Sequence, residues 1–117
     1  HPLFNDLKNI IFKTDGVEGS LRHLVSEYAG ITLAFIYGSY AKGKEKGSSD
    51  IDIVVVGSFP RDEFTQKLRM LESKLNREAN FSSYTKAEFD KENRKKGGFL
   101  NIIMKNKIIL LKGNLDD

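Results

Sequence analysis

Phe35-Ile36-Tyr37-Gly38-Ser39-Tyr40-Ala41-Lys42-Gly43, followed after a polar stretch by Ser49-Asp50-Ile51-Asp52-Ile53-Val54-Val55-Val56, is the part of the chain that decides the fold. The run from Ile31 to Tyr37 is short, apolar and aromatic-rich, and Gly30 and Gly38 bound it, which predicts a buried strand. Ile51 to Val56 is the clearest strand signal in the chain, dense in β-branched residues and ended by Gly57 and Pro60. Between the two, Tyr40-Ala41-Lys42 supports one or two helical turns before Gly43, and a loop leads through Gly47, Ser48 and Ser49.

Upstream of this stretch, Leu3, Phe4, Leu7, Ile10 and Ile11 recur at helical spacing until Asp15-Gly16, predicting an amphipathic helix from Leu3 to Lys13. Val17, Leu21, Leu24, Val25 and Tyr28 repeat the signal, so a second helix is expected before Gly30. Downstream, Phe64, Leu68, Leu71 and Leu75 share one face of a segment that opens with Pro60-Arg61-Asp62-Glu63, where proline and acids suit a helix start. Ala79 to Tyr84 reads as a third strand, and Thr85 with Glu88 forms a capping box for a helix running towards Arg94. After Gly97-Gly98, Phe99 to Met104 reads as a short helix belonging to the core, and Lys107 to Leu111 as a last strand ended by Gly113.

Strands and helices mixed in this order imply a sheet covered by helices, an α+β (α/β layered) fold with a mixed β-sheet. With 117 residues, one domain is expected. Residues 1–30 are read as a helical segment packed on or leading into it, and residues 31–117 as the domain proper. The chain has no cysteine, which excludes disulfides, thiolate metal sites and cysteine nucleophiles. No apolar run approaches the roughly 20 residues of a membrane span, and no secretory signal opens the chain, so the expected address is cytoplasmic. His1 has no methionine before it, and either a tag remnant before Pro2 or a piece of a longer protein is expected. Nineteen basic against sixteen acidic side chains leave a net charge of +3, an excess that suits polyanionic ligands. Lys42, Lys44 and Lys46 lie between the Gly-Ser pair and the aspartates, whereas Arg94, Lys95 and Lys96 read as a solvated surface.

If the strands at 31–37 and 51–56 are neighbours, Gly38, Ser39, Asp50 and Asp52 meet near one sheet edge. Alternation along a strand sends Asp50 and Asp52 to one face and Ile51 and Ile53 to the other. Two convergent carboxylates make an oxygen-ligand pair for Mg²⁺, which takes one or two carboxylates plus water and phosphate oxygens. Gly38 lets the backbone approach a ligand closely. Ser39 opens a helical turn whose free N–H groups and hydroxyl can hold phosphate oxygens, and Lys42 brings a positive charge to the same place. Tyr37 and Tyr40 flank the Gly-Ser pair, and Tyr40 is placed either to stack on a base or to pack in the core. His23, beside Leu24, is read as structural.

Gly38-Ser39-Tyr40-Ala41-Lys42-Gly43 with Ser49-Asp50-Ile51-Asp52-Ile53 resembles the signature of the DNA polymerase beta-like nucleotidyltransferase superfamily, and most of all its minimal prokaryotic branch. The motif covers Phe35 to Val56, and the order of elements to about Gly113 also fits. The resemblance implies a nucleotidyltransferase fold and transfer of a nucleoside monophosphate from ATP or another NTP, AMP where ATP is the substrate, to an acceptor hydroxyl. Asp50 and Asp52 would then hold two Mg²⁺ ions. Gly38, Ser39 and Lys42 would bind the triphosphate. The acceptor would be a small molecule or a protein such as the toxin partner of a toxin–antitoxin pair. Pro2-Leu3-Phe4 and the following helices further resemble the segment that joins such a domain to an upstream winged-helix DNA-binding domain. Active relatives carry a third carboxylate on a later strand, where this chain offers Asn80, with Glu78 on the same alternating face. An amide is neutral and a weaker Mg²⁺ ligand. A transferase and a catalytically weakened domain that binds nucleotide or a partner, as part of a DNA-binding regulator, are therefore the two readings.

Overall fold

The structure, a computed structural model, describes residues 10–11, 16–43 and 50–113, with the backbone alone for Ile10 and Ile11. In chain order the elements are β1 (Ile10–Ile11), α1 (Gly16–Ser26), β2 (Ile31–Tyr37), α2 (Gly38–Ala41), β3 (Ile51–Gly57), α3 (Arg61–Leu75), β4 (Ala79–Tyr84), α4 (Lys86–Asn93), α5 (Phe99–Met104) and β5 (Ile108–Lys112). The strands form one mixed sheet in the order β1-β5-β2-β3-β4. β2 is antiparallel to β3 and β5, whereas β3 runs parallel to β4 and β1 parallel to β5.

The near-continuous apolar run of β3 is explained by cover on both faces. Ile51, Ile53 and Val55 point into a core with Leu21, Leu24 and Val25 of α1 and with Phe64 and Leu68 of α3. Val54 and Val56 point the other way, against Leu33, Phe35, Phe89 of α4 and Leu100 and Ile103 of α5. Three layers result. In the first, Phe64 gathers an edge-on aromatic group, with ring centroids 5.7 Å from Tyr28, 5.2 Å from Phe59 and 5.1 Å from Phe81. Arg22 donates to the Leu110 carbonyl at 3.1 Å and Lys112 to the Tyr28 carbonyl at 2.7 Å, tying α1 and the turn after it to β5.

The expected second strand, third helix and capping box are all present, the last in full: Thr85 Oγ1 accepts from Glu88 N–H at 3.1 Å, and Glu88 Oε1 accepts from Thr85 N–H at 2.8 Å. The helix expected from Leu3 to Lys13 is corrected at Ile10–Ile11, which pair in register with Ile108 and Ile109 of β5. Helical spacing of apolar residues does not by itself decide between helix and strand in a short segment. Here two β-branched residues take up the hydrogen-bonding edge that β5 presents. The rest of that expected helix, together with Lys44, Lys46 and Ser49, lies outside the described residues. Phe99 to Met104 is a helix as expected, but only Leu100 and Ile103 enter the core. Phe99 and Ile102 are about half exposed.

One polar contact sets the entry into β4. Glu72 Oε2 accepts from the Ala79 N–H at 2.6 Å and pairs with Arg69 at 2.7 Å, while Arg69 also donates to the Ala79 carbonyl at 2.9 Å. Burial opposes ionisation of Glu72, but Arg69 and the Ala79 N–H together hold its carboxyl below the usual carboxylate range. A depressed carboxylate contributes stability above its unfolded pKa, and that contribution is lost as the pH falls through the folded value. Glu72→Gln is therefore expected to lower stability at pH 7 by about 1 kcal/mol. The deficit relative to wild type should shrink towards pH 3. Urea unfolding at several pH values checks both the size and the direction.

Candidate functional site

Register brings the residues of the site to one end of the sheet. β2 ends at Tyr37 as β3 begins, so the antiparallel ladder sets Tyr37 opposite Asp52. The parallel ladder on the other side sets Asn80 beside Asp52, and Ala79 beside Ile51. Asp50 is exposed just before β3, and Asp52 is half-buried within it. Alternation sends Ile51 and Ile53 into the α1/α3 core and leaves Asp52 on the face of Val54 and Val56, as the period of a strand requires.

Gly38 turns the chain directly after β2 with φ +76°, a left-handed conformation that favours glycine. A Cβ built there would lie 3.0 Å from Asp52 Oδ2, so the absence of a side chain leaves the carboxylate room beside the backbone. Ser39 is exposed in α2, whose start has no side-chain cap, and Lys42 is exposed at its end. Gly38, Ser39, Lys42, Asp50, Asp52 and Asn80 thus gather around the ends of three adjacent strands.

The electrostatics are those of a close carboxylate pair bridged by an amide. Burial pushes the Asp52 carboxyl above its usual range. A hydrogen bond from Asn80 offsets part of the rise, and the negative charge of Asp50 adds to it. Asn80 Nδ2 also donates to Asp50 Oδ2 at 3.4 Å, the long limit of a hydrogen bond, so the amide reaches both carboxylates. Tyr37 stands over this group, its hydroxyl raised first by burial and then by the charges of Asp52 and Tyr84.

Among the described residues, no group of three or more His, Cys, Asp or Glu side chains comes together to hold a metal. Glu78 is exposed and lines an open surface cleft with Asp50, Arg69 and Arg77, so it does not supply the third carboxylate. The donor set is two carboxylates with an amide. Such a set fits one Mg²⁺, which is content with two carboxylates when water and phosphate oxygens complete its octahedron. A second ion finds no further acidic ligand among the described residues.

Of the two placements expected for Tyr40, the structure shows core packing: it is 2% exposed within the α1/α3 core, with the Arg77 guanidinium 5.2 Å from its ring centre. His23 is exposed on α1, away from the site. Sequence reasoning did not single out Asn106 and Lys107. They line a pocket of about 120 Å³ with Tyr37, Gly38, Lys42 and Ile103. The antiparallel pairing of β5 with β2 carries them there, and no spacing in the sequence reports it.

No helix among the described residues is long and apolar enough to cross a membrane. Solved structures that resemble the chain include two toxin–antitoxin structures. One is a toxin–antitoxin complex with AMP-PNP, at TM-score 0.60 and 18% identity, covering 86% of this chain and 76% of that one. The other is a mutant of the toxin–antitoxin MntA-HpeT, at TM-score 0.59 and 16% identity, covering 86% and 76%. Identities this low establish a shared fold. No curated protein matches the chain significantly. The family model described as polymerase beta, nucleotidyltransferase matches residues 20–114, which span α1 from Ser20, the whole site and β5. The chain belongs to the polymerase beta nucleotidyltransferase family.

Proposed function

We propose that the domain binds a nucleoside triphosphate, ATP first among them, and transfers its nucleoside monophosphate to a hydroxyl of a protein or small molecule in the cytoplasm. The observation that carries this reading is the placement of Asp50 and Asp52 at the start of β3, with Gly38 close enough that a side chain there would meet Asp52. Asp50 and Asp52 would hold Mg²⁺, whose chemistry is to stabilise charge on the α-phosphate and on the departing pyrophosphate. Gly38 admits the phosphate chain to the backbone. The N–H groups and hydroxyl at Ser39 take β- and γ-phosphate oxygens, and Lys42 neutralises part of their charge. In the reaction a bond forms between the acceptor oxygen and the α-phosphorus as the bond from that phosphorus to the α–β bridging oxygen breaks, pyrophosphate leaves with that oxygen, and the acceptor hydroxyl's proton passes to solvent. The resemblance to toxin–antitoxin structures, one of them with AMP-PNP, supports a protein acceptor and an adenine nucleotide.

Asn80 favours a second reading. Standing beside Asp52 where relatives carry a carboxylate, its amide can neither accept the acceptor proton nor hold an acceptor-side ion well. In that reading the domain retains Mg²⁺-dependent nucleotide binding and loses turnover, as the sensing part of a regulator with a winged-helix domain upstream.

Asp52→Asn is expected to abolish Mg²⁺-dependent ATP binding in a calorimetric titration, and unchanged affinity would sink the site. Because burial and Asp50 raise the Asp52 carboxyl, it takes up a proton at higher pH than an ordinary aspartate. Wild-type affinity should accordingly fall as the pH is lowered through that range. Asn80→Asp separates the two readings. Pyrophosphate release that rises on the order of tenfold or more from a measurable wild-type rate supports transfer. Release found only in the variant supports the binding reading, and none in either protein removes transfer altogether.

A further inference from the structure

The pocket beside Gly38 has a second cation that the family signature does not contain. β2 and β5 pair antiparallel through Ile36 with Ile109, and the same register carried one step beyond each strand brings Lys107 alongside Gly38. Lys107 and Lys42 line the pocket from different elements, β5's approach and α2's end, with Asn106 next to them. The turn that presents Lys107 is fixed: Asn106 donates from its backbone to the Ile103 carbonyl at 3.0 Å and from Nδ2 to the Ile102 carbonyl at 2.8 Å. Among the described residues neither Lys42 nor Lys107 forms an ion pair.

We propose that Lys107, with Lys42, forms a seat for the terminal phosphate of a polyphosphate chain, so that the domain distinguishes a triphosphate from a diphosphate by tail length. The inference rests on the nucleotide reading above and extends it to a residue outside the signature. The Mg²⁺ that Asp50 and Asp52 would hold offsets their charge, so the free end of the tail is drawn past Gly38 towards the two ammonium groups. Each further phosphate adds negative charge, and only a tail long enough to pass Gly38 reaches both lysines. Ile102, Ile103 and Tyr37 line the pocket on its apolar side.

The test titrates the full chain with Mg²⁺-ATP, Mg²⁺-ADP and inorganic tripolyphosphate, in wild type and in Lys107→Gln, Lys107→Arg and Lys105→Gln. Lys107 is exposed, so its substitution leaves the core intact. Lys107→Gln is expected to weaken ATP and tripolyphosphate about tenfold and ADP less than about threefold. Lys107→Arg should keep most of the affinity. Lys105→Gln, which removes the same charge from the nearby end of α5, should leave binding unchanged. Equal losses for ATP and ADP, an equal loss in Lys105→Gln, or no loss at all would overturn the seat. If wild type binds ATP without this dependence, the nucleotide reading survives and the seat falls. If it binds tripolyphosphate through Lys107 but no nucleotide, the seat survives and the nucleotide reading falls.

Discussion

The antiparallel pairing of β2 with β3 is the constraint on which the site depends. It sets Tyr37 opposite Asp52, and so delivers the turn at Gly38 to the carboxylate. Register in a sheet is held by burial. A slip of one residue would put Asp52, Val54 and Val56 on the α1/α3 face in place of Ile51, Ile53 and Val55, replacing a fully buried aliphatic side chain by a charge. Such a side chain is worth about 1.5–3 kcal/mol when buried. An unpaired carboxylate in that core would cost several kcal/mol more. The apolar packing of β3 therefore fixes the geometry of its polar end.

A second dependence runs through β4. Glu72, at the end of α3, holds the first residue of that strand by its N–H, and Arg69 holds the carbonyl of the same residue. The parallel ladder then carries this placement one step on, to Asn80 beside Asp52. The charged contacts that organise the strand thus lie one residue from Asn80, on which the two proposed readings turn, and they reach it through backbone register.

What the sequence made legible follows the same division. β2, β3 and β4 could be read because their side chains alternate or run apolar between breakers, and the α4 cap because Thr85 and Glu88 sit at fixed spacing. Asn80 was visible for the same reason: its place in an alternating strand can be counted without knowing the neighbours. β1 could not be read, because two residues become a strand only when a partner edge is available, and that edge belongs to β5 at the far end of the chain. Lys107 was hidden by the same kind of distance, since a lysine at the head of a strand has no meaning until the strand beside it is known. Tyr40 shows the limit for side chains. Its position next to Ser39 is local, but its direction is set by how α2 lies on the sheet, and it turns inward.

On the proposed reading, an amide at Asn80 in place of a carboxylate also changes which groups would hold the polyphosphate. With two aspartates and one divalent ion, the positive and negative charges at the head of β3 balance formally, so little net attraction is left for the far end of a triphosphate. That attraction has to come from the chain's own donors beyond Gly38: the N–H groups at the start of α2 and the lysines around the pocket. A site with three carboxylates and two ions would draw the tail mainly through its metals. In this one, on the proposed reading, the protein's cations would take a larger share, and a nucleotide would be held by its tail whether or not its α-phosphate is positioned for transfer. Loss of the third carboxylate therefore weakens transfer before it weakens binding. The approach of Gly38 to Asp52, and of Lys42 to the pocket beside Gly38, is the geometry on which that reading rests.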